Sequence, residues 1–152
     1  MTEKVILSVS GFGDMVGEDR GAELITAARF YHRNRKHFVL YEDSDSGVDT
    51  GGMIKIGDGR VDVIRKGEDH VHMVFEEGSG STTVYHTTAG ELTMEIFTQS
   101  IYTRAREDEI ITRISYGLTL NGSFVADYKV QIRIQSQEKA ELNMLDNGSD
   151  LQ

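Results

Sequence analysis

Cysteine, proline and tryptophan are all absent from this chain of 152 residues. Without cysteine there is no disulfide framework, no thiol chemistry and no Cys-ligated zinc, and a reducing cytoplasm is the expected setting. Without proline the turns fall to glycine, of which there are 16, as suits a chain that turns many β corners. Long apolar runs are missing too. Val5 to Leu7 falls far short of the roughly 20 residues of a membrane span and is too short for a signal-peptide core, so no membrane partner is expected. Positive charge is the minority, with 16 Lys and Arg against 25 Asp and Glu and a net charge of −9. Such a surface repels phosphate backbones and argues against nucleic-acid binding. The local exception is Arg29, Arg33, Arg35 and Lys36, read as a charged hairpin tip that keeps an edge soluble.

What is present is alternation. Hydrophobic residues make up 38% of the chain, enough for one core in one domain, and they recur with period two. Phe124, Ala126, Tyr128, Val130, Ile132 and Ile134 share one face of a strand; Ile114, Tyr116, Leu118 and Leu120 share a face of the strand before it. Asn121-Gly122 between them is a hairpin signal. A bare two-residue turn would pair Tyr116 with Asp127 and mix the faces. The pattern therefore predicts a three-residue connection or an adjacent bulge, pairing Tyr116 with Tyr128 and Leu118 with Ala126.

The same face-matching predicts four successive hairpins in the middle of the chain. Asp58-Gly59 pairs Ile56 with Val61 and Ile54 with Val63. Gly67 to Asp69 pairs Val63 with Met73 and Val61 with Phe75. Gly78 to Gly80 pairs Met73 with Tyr85 and Phe75 with Thr83. Ala89-Gly90 pairs Tyr85 with Met94 and Thr87 with Leu92. Upstream strands are expected over 4–13, 23–33 and 36–43. The chain reads as an all-β, single antiparallel meander β-barrel of about ten strands over residues 1–135, with a two-sheet sandwich as the alternative. Residues 136–152 read as a polar tail or a short packed helix anchored by Leu142, Met144, Leu145 and Leu151.

Several stretches, in this order and spacing, carry a family likeness: Tyr41-Glu42-Asp43, Arg65-Lys66-Gly67, Met73-Val74-Phe75-Glu76-Glu77-Gly78, Tyr85-His86-Thr87-Thr88-Ala89-Gly90-Glu91-Leu92 and Ile114-Ser115-Tyr116-Gly117-Leu118. They span most of the chain between Lys4 and Gln135. The pattern resembles the YwiB-like family of bacterial proteins of unknown function. That resemblance implies a lipocalin-like (calycin-type) barrel in a bacterial cytoplasm, with no assigned activity or catalytic residues.

Two surfaces are candidates for function. The inner face carries Arg65, Thr83, Tyr85 and Thr87 among apolar side chains. Arg65 with Tyr85, Tyr116 and Tyr128 forms a candidate site for a small, partly apolar or anionic ligand; the bland alternative puts Arg65 at the rim with its head in water. On the outer face Val74 is expected beside Val84, with Ile64 and Phe97 on neighbouring diagonals. This apolar patch would suit a protein partner or a homodimer. Metal chemistry has little support. His70 and His72 alternate on one strand near His86, but no third ligand is in view, and His32, His37 and the other histidines read as solvated. Asp43, Asp45 and Asp49 around Gly47 only echo a calcium loop, with the glycine one position early. No catalytic elbow, P-loop or cofactor fingerprint appears. Glu76 and Glu77 point to opposite faces, and nothing selects Tyr41, Glu42 or Tyr116 for acid–base work. The reading leans away from an enzyme and names no cofactor.

Overall fold

The computed structural model describes residues 3–11, 23–42, 51–66 and 71–140 and, within them, every side chain but those of Glu23, Tyr85 and Thr87. Ten strands follow one another: β1 (Lys4–Ser10), β2 (Glu23–Arg33), β3 (Lys36–Tyr41), β4 (Gly52–Gly57), β5 (Arg60–Arg65), β6 (Val71–Glu76), β7 (Gly80–Thr87), β8 (Gly90–Ala105), β9 (Glu109–Leu120) and β10 (Ser123–Ser136). They form one antiparallel sheet in the order β6-β5-β4-β3-β2-β1-β10-β9-β8-β7, curled into a nearly closed meander barrel. Residues 137–140 are helical, and the Lys139 N–H donates to Ser136 Oγ at 3.2 Å, so that Ser136 caps the turn. The expected aspartate loop at 43–49, the connection at 67–69, His70 and the apolar tail anchors lie outside the described residues.

Alternation fills the interior. Val5, Leu7, Val39, Ile54, Ile56, Val61, Phe75, Ile114, Leu118, Ile132 and Ile134 are all essentially sealed from solvent. Each such side chain stabilises the fold by roughly 1.5–3 kcal/mol, so this core dominates the energetics. The rings of Phe75 on β6 and Tyr116 on β9 meet edge to face at 5.0 Å, and Tyr116 lies 5.9 Å from Tyr128. At that depth the barrel is filled by side chains.

Most predicted registers are observed. Ile56 pairs with Val61 and Ile54 with Val63; Val63 pairs with Met73 and Val61 with Phe75; Tyr116 pairs with Tyr128 and Leu118 with Ala126. The last register is reached by a two-residue turn at Asn121 (φ 49°) and Gly122 (φ 84°) plus a bulge between Phe124 and Ala126, which restores the face match.

Two registers need correction. In the β7–β8 hairpin Tyr85 pairs with Leu92 and Thr83 with Met94. The turn is Thr88-Ala89, not Ala89-Gly90, and the resulting slip of two residues keeps every side chain on its expected face. The predicted β6–β7 hairpin is not a ladder at all, since β6 and β7 lie at opposite ends of the sheet order. The Gly78 N–H donates to Thr98 O, and the Thr98 N–H to Ser79 O; these bonds tie the connecting turn to β8 and hold β7 off the edge of β6. Side chains bridge the gap instead: Ser81 Oγ donates to Val74 O at 2.7 Å and Thr83 Oγ1 to His72 O at 3.0 Å. Consequently Val74 sits opposite Asp62, and Val84 opposite Thr93, rather than opposite each other.

Candidate functional site

At the end of the barrel where β1 begins, β2 turns into β3 and β8 turns into β9, a pocket of about 450 Å³ opens, within the roughly 300–1,000 Å³ usual for small-molecule sites. Its aromatic wall follows from the β2–β3 turn. Asn34 and Arg35 have φ of 54° and 64°, the left-handed pair that a tight two-residue hairpin turn requires. That turn sets His32 directly opposite His37. The imidazole centroids are 4.8 Å apart, and Phe30 stacks on His37 at 5.7 Å. Glu3, Tyr31, Ala105, Arg106, Glu107 and Ile110 complete the lining. Glu3 accepts a hydrogen bond from Tyr31 Oη at 2.9 Å. The Arg106 N–H donates to Glu109 O at 2.7 Å, fixing the β8–β9 turn against the pocket.

The imidazole pair is under-satisfied. His37 Nδ1 is buried and has no hydrogen-bond partner. Burial and then the neighbouring His32 push the His37 pKa below its ordinary value, which keeps the ring neutral at pH 7. The lining also carries the Arg106 guanidinium and the carboxylates of Glu3 and Glu107. Chemically, the pocket offers a ring-lined apolar wall, a guanidinium and imidazoles with unused hydrogen-bonding capacity.

The residues singled out from sequence lie elsewhere. Arg65 ends β5 on the inner-face phase, opposite Gly52 and Val71, and is exposed. Tyr116 is fully buried and Tyr128 half-buried against it. These two are brought together, whereas Arg65 has no described contact with either. Tyr85 belongs to β7, with its side chain outside the described set. That end is narrowed by Tyr41, whose ring covers Gly52 so closely that a Cβ there would meet Tyr41 Cζ at 2.5 Å. On the outer face Ile64 and Val74 are half-buried, while Val84 and Phe97 are 46% and 53% exposed. Phe97 sits opposite Gly117, and across that glycine lies Phe124, 65% exposed, a residue the sequence reading had assigned to the inner face. The imidazole pair was missed because its histidines were read singly. The available signal was Asn34 at the first position of a two-residue turn, which makes His32 and His37 cross-strand partners.

A second polar cluster lies on the outer face of β5 and β6. Asp62 is buried and receives Arg60 Nε at 2.9 Å, Arg60 Nη2 at 3.2 Å and His72 Nε2 at 2.8 Å. Arg60 Nη1 also reaches Glu76 at 3.1 Å. Burial alone would raise the Asp62 pKa, but the hydrogen bonds from Arg60 and His72 outweigh it and hold the carboxyl below its usual range. His86 lies 3.6 Å from Glu91. Among the described residues no three metal-ligating side chains gather, and no helix is long and apolar enough to cross a membrane.

Residues 9–132 match the family model described as Domain of unknown function (DUF1934). No curated protein matches the chain. Among solved structures, the crystal structure of the ywiB protein from Bacillus subtilis superimposes with a TM-score of 0.67 at 21% identity, over 88% of this chain and 92% of that one. At that identity the likeness carries the barrel fold alone.

Proposed function

The chain belongs to the DUF1934 family, a domain of unknown function, and from that premise we propose that it is a non-catalytic barrel that binds a small, partly apolar or anionic ligand. The supporting observation is the pocket of about 450 Å³ in which Phe30 and Ile110 lie beside Arg106 and the His32–His37 pair. The ligand class is the one the composition of the inner face suggested, but the favoured place is this mouth rather than the Arg65 end. A cytoplasmic setting is part of the proposal and rests on the cysteine-free composition. Native mass spectrometry of gently purified protein, followed by denaturing mass on the same sample, tests it. The expected result is a mass excess lost on denaturation, and diminished in Arg106→Ala. Retention of the excess in Arg106→Ala, with loss in Arg65→Ala, would move the site to the opposite end.

A second reading, a homodimer or protein-interaction module, is favoured by Phe97 and Phe124 standing exposed on either side of Gly117. It predicts a dimer in light scattering that Phe97→Lys or Val84→Lys weakens. A strict monomer at high concentration sinks the homodimer form.

A further inference from the structure

Resting on the ligand-binding reading, we infer that the mouth pocket takes its ligand as a ring-bearing anion, a carboxylate or phosphate, together with one proton that settles on the His32–His37 pair. His37 resists carrying charge, because it is partly buried and because the His32 ring lies with its centroid 4.8 Å away. The His37 ring is therefore neutral at pH 7. An anion seated against the pair supplies the counter-charge that offsets both penalties. By linkage, whatever favours the proton on binding also makes the proton favour binding.

The surroundings of His37 shape the coupling. From β2 come His32 and the Tyr31 phenol, from the chain before β1 Glu3, and from the β8–β9 turn Arg106 and Glu107. Lys36 flanks His37 on its own strand, and β4 presents apolar Ile56 directly across. Glu3 is already engaged by Tyr31, which leaves Glu107 as the carboxylate without a described bond and Arg106 as the fixed cation of the lining. While the imidazoles are neutral the Glu3 and Glu107 carboxylates outweigh Arg106, so an anion meets net repulsion until the pair takes up a proton beside Arg106. The Phe30–His37 stack supplies a flat wall, which is why the ligand carries a ring rather than being a bare inorganic anion.

Calorimetric titration with benzoate and phenyl phosphate tests the coupling, with phenol and benzylamine as neutral and cationic controls. The experiment uses the full chain between pH 5.5 and 8, in two buffers of different ionisation heat. The expected result is affinity for the ring-bearing anions that rises up to about tenfold per unit fall in pH and heats that differ between buffers by the uptake of one proton. His32→Gln, at an exposed position, should leave the fold intact and flatten the pH dependence; His37→Gln should do the same. Anion binding that is independent of pH, with equal heats in both buffers, overturns the proton coupling and leaves the ligand reading standing. No binding of any probe at any pH overturns both. Preferential binding of benzylamine overturns the anion assignment.

Discussion

Two polar clusters sit on the same barrel and differ in completeness. Around Asp62, the carboxylate oxygens are matched by Arg60 and His72, and Arg60 is held in turn by Glu76. Around His37, one nitrogen is buried without a partner and two imidazoles face each other beside a cavity. A saturated network has nothing left to offer a ligand and acts on stability. An unsaturated one costs stability and is retained where something else completes it.

Asp62→Ala gives the largest expected effect in this comparison. It strands Arg60 and His72 and should cost about 1–3 kcal/mol in urea denaturation, with affinity for phenyl phosphate unchanged. A parallel loss of affinity would show that the clusters are coupled. The pH profile separates them next. Both groups have folded pKa values below their unfolded ones, so both contribute stability at higher pH that is lost as pH falls. For His37 the loss begins near its ordinary value of 6.5, and for Asp62 near 3.8. Melting temperature against pH should show two declines, the upper absent in His37→Gln and the lower reduced in Asp62→Asn. A saturating ring-bearing anion should reverse the upper decline only. His37→Phe comes third. It keeps the stack and removes the orphaned nitrogen, so stability should rise by up to about 1 kcal/mol while anion binding disappears; retained binding would place the ligand off the imidazoles. The smallest effect is Arg35→Gly, which relieves a side chain at φ 64° and should stabilise by about 0.5 kcal/mol, with His32 and His37 left in register.

The contrast also explains what was legible in the sequence. Strand faces were, because period-two burial is local: Tyr116 against Tyr128 and Val63 against Met73 follow from which side of each strand is apolar. The two-residue slip of β7 on β8 was not, since Thr88-Ala89 and Ala89-Gly90 serve equally well and both keep the faces. The missing β6–β7 ladder was invisible for a different reason. It depends on Thr98, some twenty residues downstream of the turn it captures, and no local pattern encodes that bond. The Arg65 site was argued from an inward phase alone, and phase does not reveal how near a residue stands to the strand end. The candidate site in the structure required one more step, from the turn at Asn34 to the pair it creates.

The sheet order holds a consequence for how the molecule is put together. The first and last strands lie side by side, with Val5 opposite Ser136, whereas the open seam falls between consecutive strands in the middle of the chain. The described residues thus form two meanders, β1–β6 and β7–β10, welded along β1 and β10. The weld waits until β10 has been made, and until then the first meander exposes the edge of β1. Linking β10 to β1 and cutting the turn between β6 and β7 would yield a chain whose strands run through the sheet in unbroken succession, from β7 to β10 and on from β1 to β6. The natural order places its longest loop closure where that rearranged chain would have an ordinary hairpin.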